Sequence, residues 1–355
     1  MLRGSRDGFV ETLVSNAALL RRRIRDPRFS MELYGVGRRS RSDVAICYIS
    51  DSVDQSVLNR MRKLIQSIDV DALTMNIESL AECMFTHKWI NPFPKFKYSE
   101  RPDTATAAIL DGNIVIMVDN SPAVMIIPAS IFDIIEEADD FNFSPMIGSY
   151  LRITRFFFSI VTWILTPLWL LFVNNPDWVP EFMKFVLITD DITVPVLLQL
   201  LILELAVDGL KLAAVNTPTM LSTPLSIVAG IVVGEYAVSS GWFNPEALLY
   251  MAVVTVGTYG QTNFEMGYAF KFLRVLTLIL TQIFNLGGFI AGVVISVLMI
   301  AFNRTITGKS YIYPLIPGMG KCLRGRYSGS GCRIVISREK IYCSCNFAKN
   351  LYNRY

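Results

Sequence analysis

Two stretches of this chain run without a charge for longer than most soluble folds allow: residues 156–173, 18 residues, and residues 275–303, 29 residues. A run of that length can cross a hydrocarbon core about 30 Å thick as a helix. Inside such a core every backbone N–H and C=O must be satisfied internally, which leaves helices as the structure for apolar runs of this kind. Further apolar runs cover roughly residues 195–215, 223–240 and 247–264. Residues 151–303 are therefore expected to form a polytopic transmembrane domain of four to six helices. Trp163, Trp169, Trp178 and Trp242 stand where interface aromatics stand. The last run exceeds one straight span and is interrupted by Asn285, Gly287 and Gly288. It is either one tilted helix or a broken pair of the kind found where backbone lines a cavity.

The flanks differ in charge. Residues 1–150 carry 17 basic and 20 acidic side chains, and residues 303–355 carry 10 basic and 1 acidic. Leu13, Leu20 and Ile24 recur at helical spacing before the basic Arg21–Arg23 end and Pro27. "DVAICYI" (43–49) is rich in strand formers, 55–68 returns to helical spacing, and "NIVIMVDNSPAVMIIP" (113–128) reads as two buried strands around a turn. Strands alternating with helices predict a soluble α/β domain over residues 1–150. The start of the chain has no apolar core of a signal peptide. Arg152 and Arg155 precede the first span, while Asp177, Glu181, Asp190 and Asp191 follow it, so the positive-inside rule puts the first domain in the cytoplasm. The basic tail, 304–355, is expected to be cytoplasmic and poorly ordered beside anionic lipid.

Motifs for catalysis are weak. His87 is the one histidine. "GKS" (308–310) lacks the first glycine of a phosphate-binding loop, since Asn303 stands there. "GVGRRS" (35–40) ends in Ser40 and fails the dinucleotide fingerprint. Cys322, Cys332, Cys343 and Cys345 are not spaced as paired zinc clips. No enzyme activity, cofactor, metal or nucleic-acid partner is expected.

One span carries charge. In "LLQLLILELAVDGLKLAAV" (197–215), Glu204, Asp208 and Lys211 follow one another in steps of four and three, which places them on one helical stripe. Ionisable groups at membrane depth are costly and face a bundle interior, water or one another. Two readings stand. Either Asp208 pairs with Lys211 and the stripe is structural, or the stripe lines an ion pathway with Glu204 deepest. Glu235, Glu246 and Glu265 lie in or beside later spans, and a net-acidic lining favours cations. Gly230 and Gly234 form a small-xxx-small pair that allows close helix contact.

"RGSRDGFVETLVSNAALLRRRIRDP", "VGRRSRSDVAICYI", "YSERPDTATAAILDGNIVIMVDNSPAVMIIP" and "SYIYPLIP" resemble the GerA spore germination family, A-subunit type, over roughly residues 3–320. The segment 204–252 resembles a sporulation-stage branch of that family more than its nutrient-receptor A subunits. The resemblance implies an integral protein of the inner spore membrane. It further implies assembly as an oligomer, expected to be a pentamer, that conducts monovalent cations and works with other germination membrane proteins. Family members extend further upstream of "RGSRDGF", which implies an N-terminally shortened soluble domain here. The tail after Pro317 does not share the resemblance.

Overall fold

The computed structural model describes residues 5–84, 91–189, 193–216, 230, 236–303, 305–306, 311–312, 334–337 and 340–343. The chain forms two compact units, Met1–Ile153 with Ile300–Tyr355, and Thr154–Met299.

The first unit is built on a five-stranded antiparallel sheet. Its strands are β1 (Phe29–Val36), β2 (Ser42–Ile49), β3 (Lys97–Ser99), β4 (Ile114–Val118) and β5 (Val124–Ile127), in spatial order β1-β2-β4-β5-β3. Around it lie α1 (Leu13–Arg23), α2 (Gln55–Gln66), α3 (Ile77–Met84), α4 (Pro102–Leu110) and the short α5 (Ile131–Ile135). Successive strand side chains point to opposite faces, and both faces here are covered. Val44, Ile46, Ile116, Val118 and Met125 pack with Leu58 and Met61 of α2 and Leu80 of α3. Ala45, Cys47, Val115, Met117 and Ile126 pack with Leu20 of α1 and Ile109 of α4. Two covered faces explain why these strands read as continuous apolar runs, although antiparallel sheets often alternate. The turn between β4 and β5 uses Asn120 at φ 61°, a conformation asparagine tolerates. Asp119 Oδ1 accepts from Leu13 N at 3.0 Å and fixes the start of α1 to that hairpin.

The chain returns to this unit after its apolar region. Asn91 Nδ2 donates to Asn303 Oδ1 at 2.9 Å, the Tyr311 hydroxyl donates to Pro94 O at 2.7 Å, and Ile306 joins the core beneath α2 and α3. Further on, β6 (Ile334–Ser337) and β7 (Lys340–Cys343) pair as a separate antiparallel ladder. His87, the "GKS" segment, Cys322, Cys332 and Cys345 lie outside the described residues.

The second unit contains most of α6 (Pro145–Asn174), with α7 (Val196–Asn216), α8 (Pro245–Tyr259) and α9 (Phe264–Ala301). By length and composition α6 and α9 can cross a membrane. Leu205, Leu249, Val256, Ile283 and Phe284 are each more than 60% exposed, an apolar outer surface that suits lipid. Inside the unit, Gln199 on α7 exchanges hydrogen bonds with Asn244 at the start of α8, at 2.7 and 2.9 Å. A Cβ on Gly257 of α8 would lie 2.6 Å from Thr162 on α6.

The long apolar run is a hairpin. Asn285 has φ 51° and ψ −129°, outside helical geometry. A Cβ on Gly288 would sit 1.8 Å from Leu280 O, and one on Gly292 would sit 2.9 Å from Thr277 Cα. Along a straight helix those residue pairs would be about 12 Å and about 22 Å apart. The chain therefore reverses at Asn285, and residues 286–301 pack back on residues 264–284. The arms are about 31 Å and about 24 Å long at 1.5 Å per residue. Small and hydroxylated residues make the seam: Thr277, Thr281, Gly288, Gly292 and Ser296 are all buried. Each hydroxyl donates to the carbonyl four residues back, so no polar group of the seam needs water. At the tip, the amides of Asn285 and Asn175 exchange two hydrogen bonds, 2.6 and 2.9 Å.

Candidate functional site

The charged stripe of α7 faces the interior of the helical unit. Leu205 is 73% exposed on the opposite side, whereas Glu204 is 4% exposed. Across from it, the first arm of α9 brings Lys271 and Arg274, three residues apart and so on one helical face. Arg274 Nε donates to Glu204 Oε1 at 2.5 Å. Its Nη1 donates to Thr162 O on α6, also at 2.5 Å. Lys271 Nζ donates to Asp208 Oδ2 and to Glu204 O, the latter at 3.2 Å, and lies 3.5 Å from Glu204 Oε2. One guanidinium thus ties three helices together.

Lys211 is not the partner of Asp208. Its Nζ lies over the rings of Tyr259 and Tyr268, 5.3 and 5.7 Å from their centroids, a geometry that favours a cation. The five groups leave one positive charge in excess when both acids are ionised. Beside them is a cavity of about 140 Å³, lined by these side chains with Thr258, Gln261 and Asn263 at the α8–α9 turn.

The other residues singled out from sequence lie elsewhere. Glu265 is exposed in the first turn of α9, and Glu246, in the first turn of α8, accepts from Thr189 Oγ1 at 3.3 Å. Glu235 and Gly234 lie outside the described residues. No described atom comes within 4 Å of a Cβ built on Gly230; the close helix contacts fall at Gly257, Gly288 and Gly292. Sequence reasoning missed Lys271 and Arg274, although their i, i+3 spacing just before the charge-free run was the available signal. Among the described residues no three His, Cys, Asp or Glu side chains converge as a metal site.

The family model described as Bacillus/Clostridium GerA spore germination protein matches residues 1–326. The chain belongs to the GerA family. It is 39% identical over 323 residues to stage V sporulation protein AF of Bacillus subtilis, covering 91% of this chain and 65% of that protein. It is 28% identical over 302 residues to the uncharacterized membrane protein YfkQ of Bacillus subtilis, covering 84% of this chain and 58% of that one. The chain thus spans less than two-thirds of the length of these GerA relatives. Among solved structures it is similar to the crystal structure of the N-terminal domain of the A subunit of the Bacillus megaterium spore germinant receptor GerK3. That similarity is 30% in sequence and covers 34% of this chain and 94% of that one, with a TM-score of 0.28. One of these relatives is named as a sporulation protein and the other as a membrane protein, and this chain has two helices long and apolar enough, by length and composition, to cross a membrane.

Proposed function

We propose that this protein is a membrane subunit of a spore germination complex that assembles with copies of itself, as a pentamer, and conducts cations. Its place is the inner spore membrane, with the sheet unit on the core side and other germination membrane proteins as partners. The observation that carries the reading is the pairing of two carboxylates on α7 with two cations on α9 inside an apolar helical unit. Buried ion pairs add little net stability compared with a well-packed apolar replacement, and at membrane depth they are expensive. Such a cluster therefore points to a use beyond packing. In the paired state Glu204 is sealed by Arg274 and passes no ion. Withdrawal of the first α9 arm leaves Glu204 and Asp208 facing the cavity without partners, an acidic lining suited to cations. The cluster is then a latch, and the acids are the pathway it closes.

A second reading is favoured by the Arg274 contacts to both α6 and α7: a non-conducting scaffold that recruits partner membrane proteins, its charges serving as internal cement. Potassium efflux from liposomes holding the purified full chain separates the two. Conduction requires efflux above that of empty vesicles and a further rise in Arg274→Gln, which unseals Glu204. No efflux from either protein at equal incorporation contradicts the channel and leaves the scaffold.

A further inference from the structure

The cavity beside the latch offers more than the ion pairs use. Asp208 Oδ1 and Gln261 Oε1 both belong to its lining, and both are buried without a hydrogen-bond partner among the described residues. A buried acceptor left unpaired is uncommon and calls for a donor. In the same cavity Lys211 has no carboxylate of the described residues within ion-pairing distance, and the rings of Tyr259 and Tyr268 flank its ammonium. One unmatched cation thus stands next to two unmatched acceptors.

These demands select the ligand. A metal cation would satisfy the acceptors but would bring no anion to Lys211. A simple anion would satisfy Lys211 but would meet the two acceptor oxygens. A molecule carrying both an anionic oxygen group and an N–H donor a few bonds away satisfies all three. The cavity lies where α8 ends at Tyr259 and α9 starts at Phe264, two residues more than 60% exposed. Aromatic residues at helix ends mark the headgroup level of a bilayer, so the chemistry at hand there is that of lipid headgroups.

We propose that this cavity holds the headgroup of an aminophospholipid, with its phosphate on Lys211 and its primary ammonium on Asp208 Oδ1 and Gln261 Oε1. Retention of such a lipid does not depend on conduction, so this proposal and the channel can fail separately.

The test is native mass spectrometry of the purified full chain, equilibrated with equal amounts of phosphatidylethanolamine, phosphatidylcholine and phosphatidylglycerol. Phosphatidylethanolamine is expected to be retained about tenfold over the other two, the effect of one charge-assisted hydrogen bond. Phosphatidylcholine has no N–H, and phosphatidylglycerol has no ammonium. Gln261→Leu should abolish the preference and Lys211→Met should lower retention of all three lipids, while Lys211→Arg, which keeps the charge, should preserve both. Equal retention of the three lipids, a preference unchanged in Gln261→Leu, or a total retention unchanged in Lys211→Met, overturns the site. Displacement of the lipid by soluble phosphoethanolamine at millimolar concentration overturns the lipid as its occupant.

Discussion

Arg274 Nε and Glu204 Oε1 lie 2.5 Å apart across 70 residues of chain, and neither side chain is more than 6% exposed. The pair joins the first arm of α9 to α7, and the second guanidinium contact, to Thr162 O, extends the tie to α6. A charge this deep cannot be left alone: removing one partner of a buried pair costs about 3–5 kcal/mol because the other is stranded. The contact is therefore a structural tie whose release strands a charge, which is what a latch requires.

The α9 hairpin depends on glycine at one position and not at its neighbour. Gly288→Ala drives a methyl into the Leu280 carbonyl, a backbone atom that cannot rotate away, whereas no atom lies within 4 Å of a Cβ on Gly287. Gly288→Ala is expected to destabilise the full chain by about 2–3 kcal/mol, the upper range for overpacking, and Gly287→Ala, in open space on a helix, to be neutral or to stabilise by up to about 1 kcal/mol. Thermal unfolding in detergent measures both. Equal effects would mean that the arms do not pack as a hairpin.

Much of this architecture was legible in the sequence and some was not. The buried strands at 114–127 and the helix at 55–66 follow from apolar runs and turn residues, because local chemistry specifies them. The antiparallel strand order was not legible, since it is set by pairing between distant segments. Asn285 and the glycines after it marked a break in the apolar run, yet a reversal and a kink produce the same local pattern. At the site, the α7 stripe was visible from spacing alone. Its partners were not, because Lys271 and Arg274 belong to another helix and only tertiary packing brings them to Glu204 and Asp208.

The return of Asn303, Ile306 and Tyr311 to the sheet unit implies an even number of membrane crossings between Ile153 and Ile300. In a chain cleared of its 6 cysteines, Ser52→Cys and Phe302→Cys should react with a membrane-impermeant maleimide from the same side of a sealed vesicle. Asp177→Cys, beyond the end of α6, should react from the other. Phe302→Cys reacting together with Asp177→Cys would mean an odd count.

In the sheet unit, the Arg62 guanidinium beside Glu32, helped by hydroxyl donors from Tyr48 and Tyr34, holds the Glu32 carboxyl down to about 2, against an ordinary 4.5. A folded-state value below the unfolded one contributes stability that is present above the ordinary value and lost as pH falls through the lowered one. The contribution, on the order of 1–2 kcal/mol after screening at a partly exposed pair, should therefore disappear between about pH 4.5 and about pH 2. Unfolding of Glu32→Gln across that window should show a smaller loss on acidification than the parent chain. Parallel curves for the two proteins would remove Glu32 as an acid-labile tie.

The ion pair on which the latch depends is tested most directly by exchanging its charges and measuring thermal stability of the full chain in detergent. Glu204→Arg and Arg274→Glu, made singly, each place like charges together in the interior and should cost at least about 3 kcal/mol. Made together they restore an opposite pair between α7 and α9, and most of the lost stability should return. Single exchanges without effect, or a double exchange as unstable as the sum of its parts, would contradict the latch.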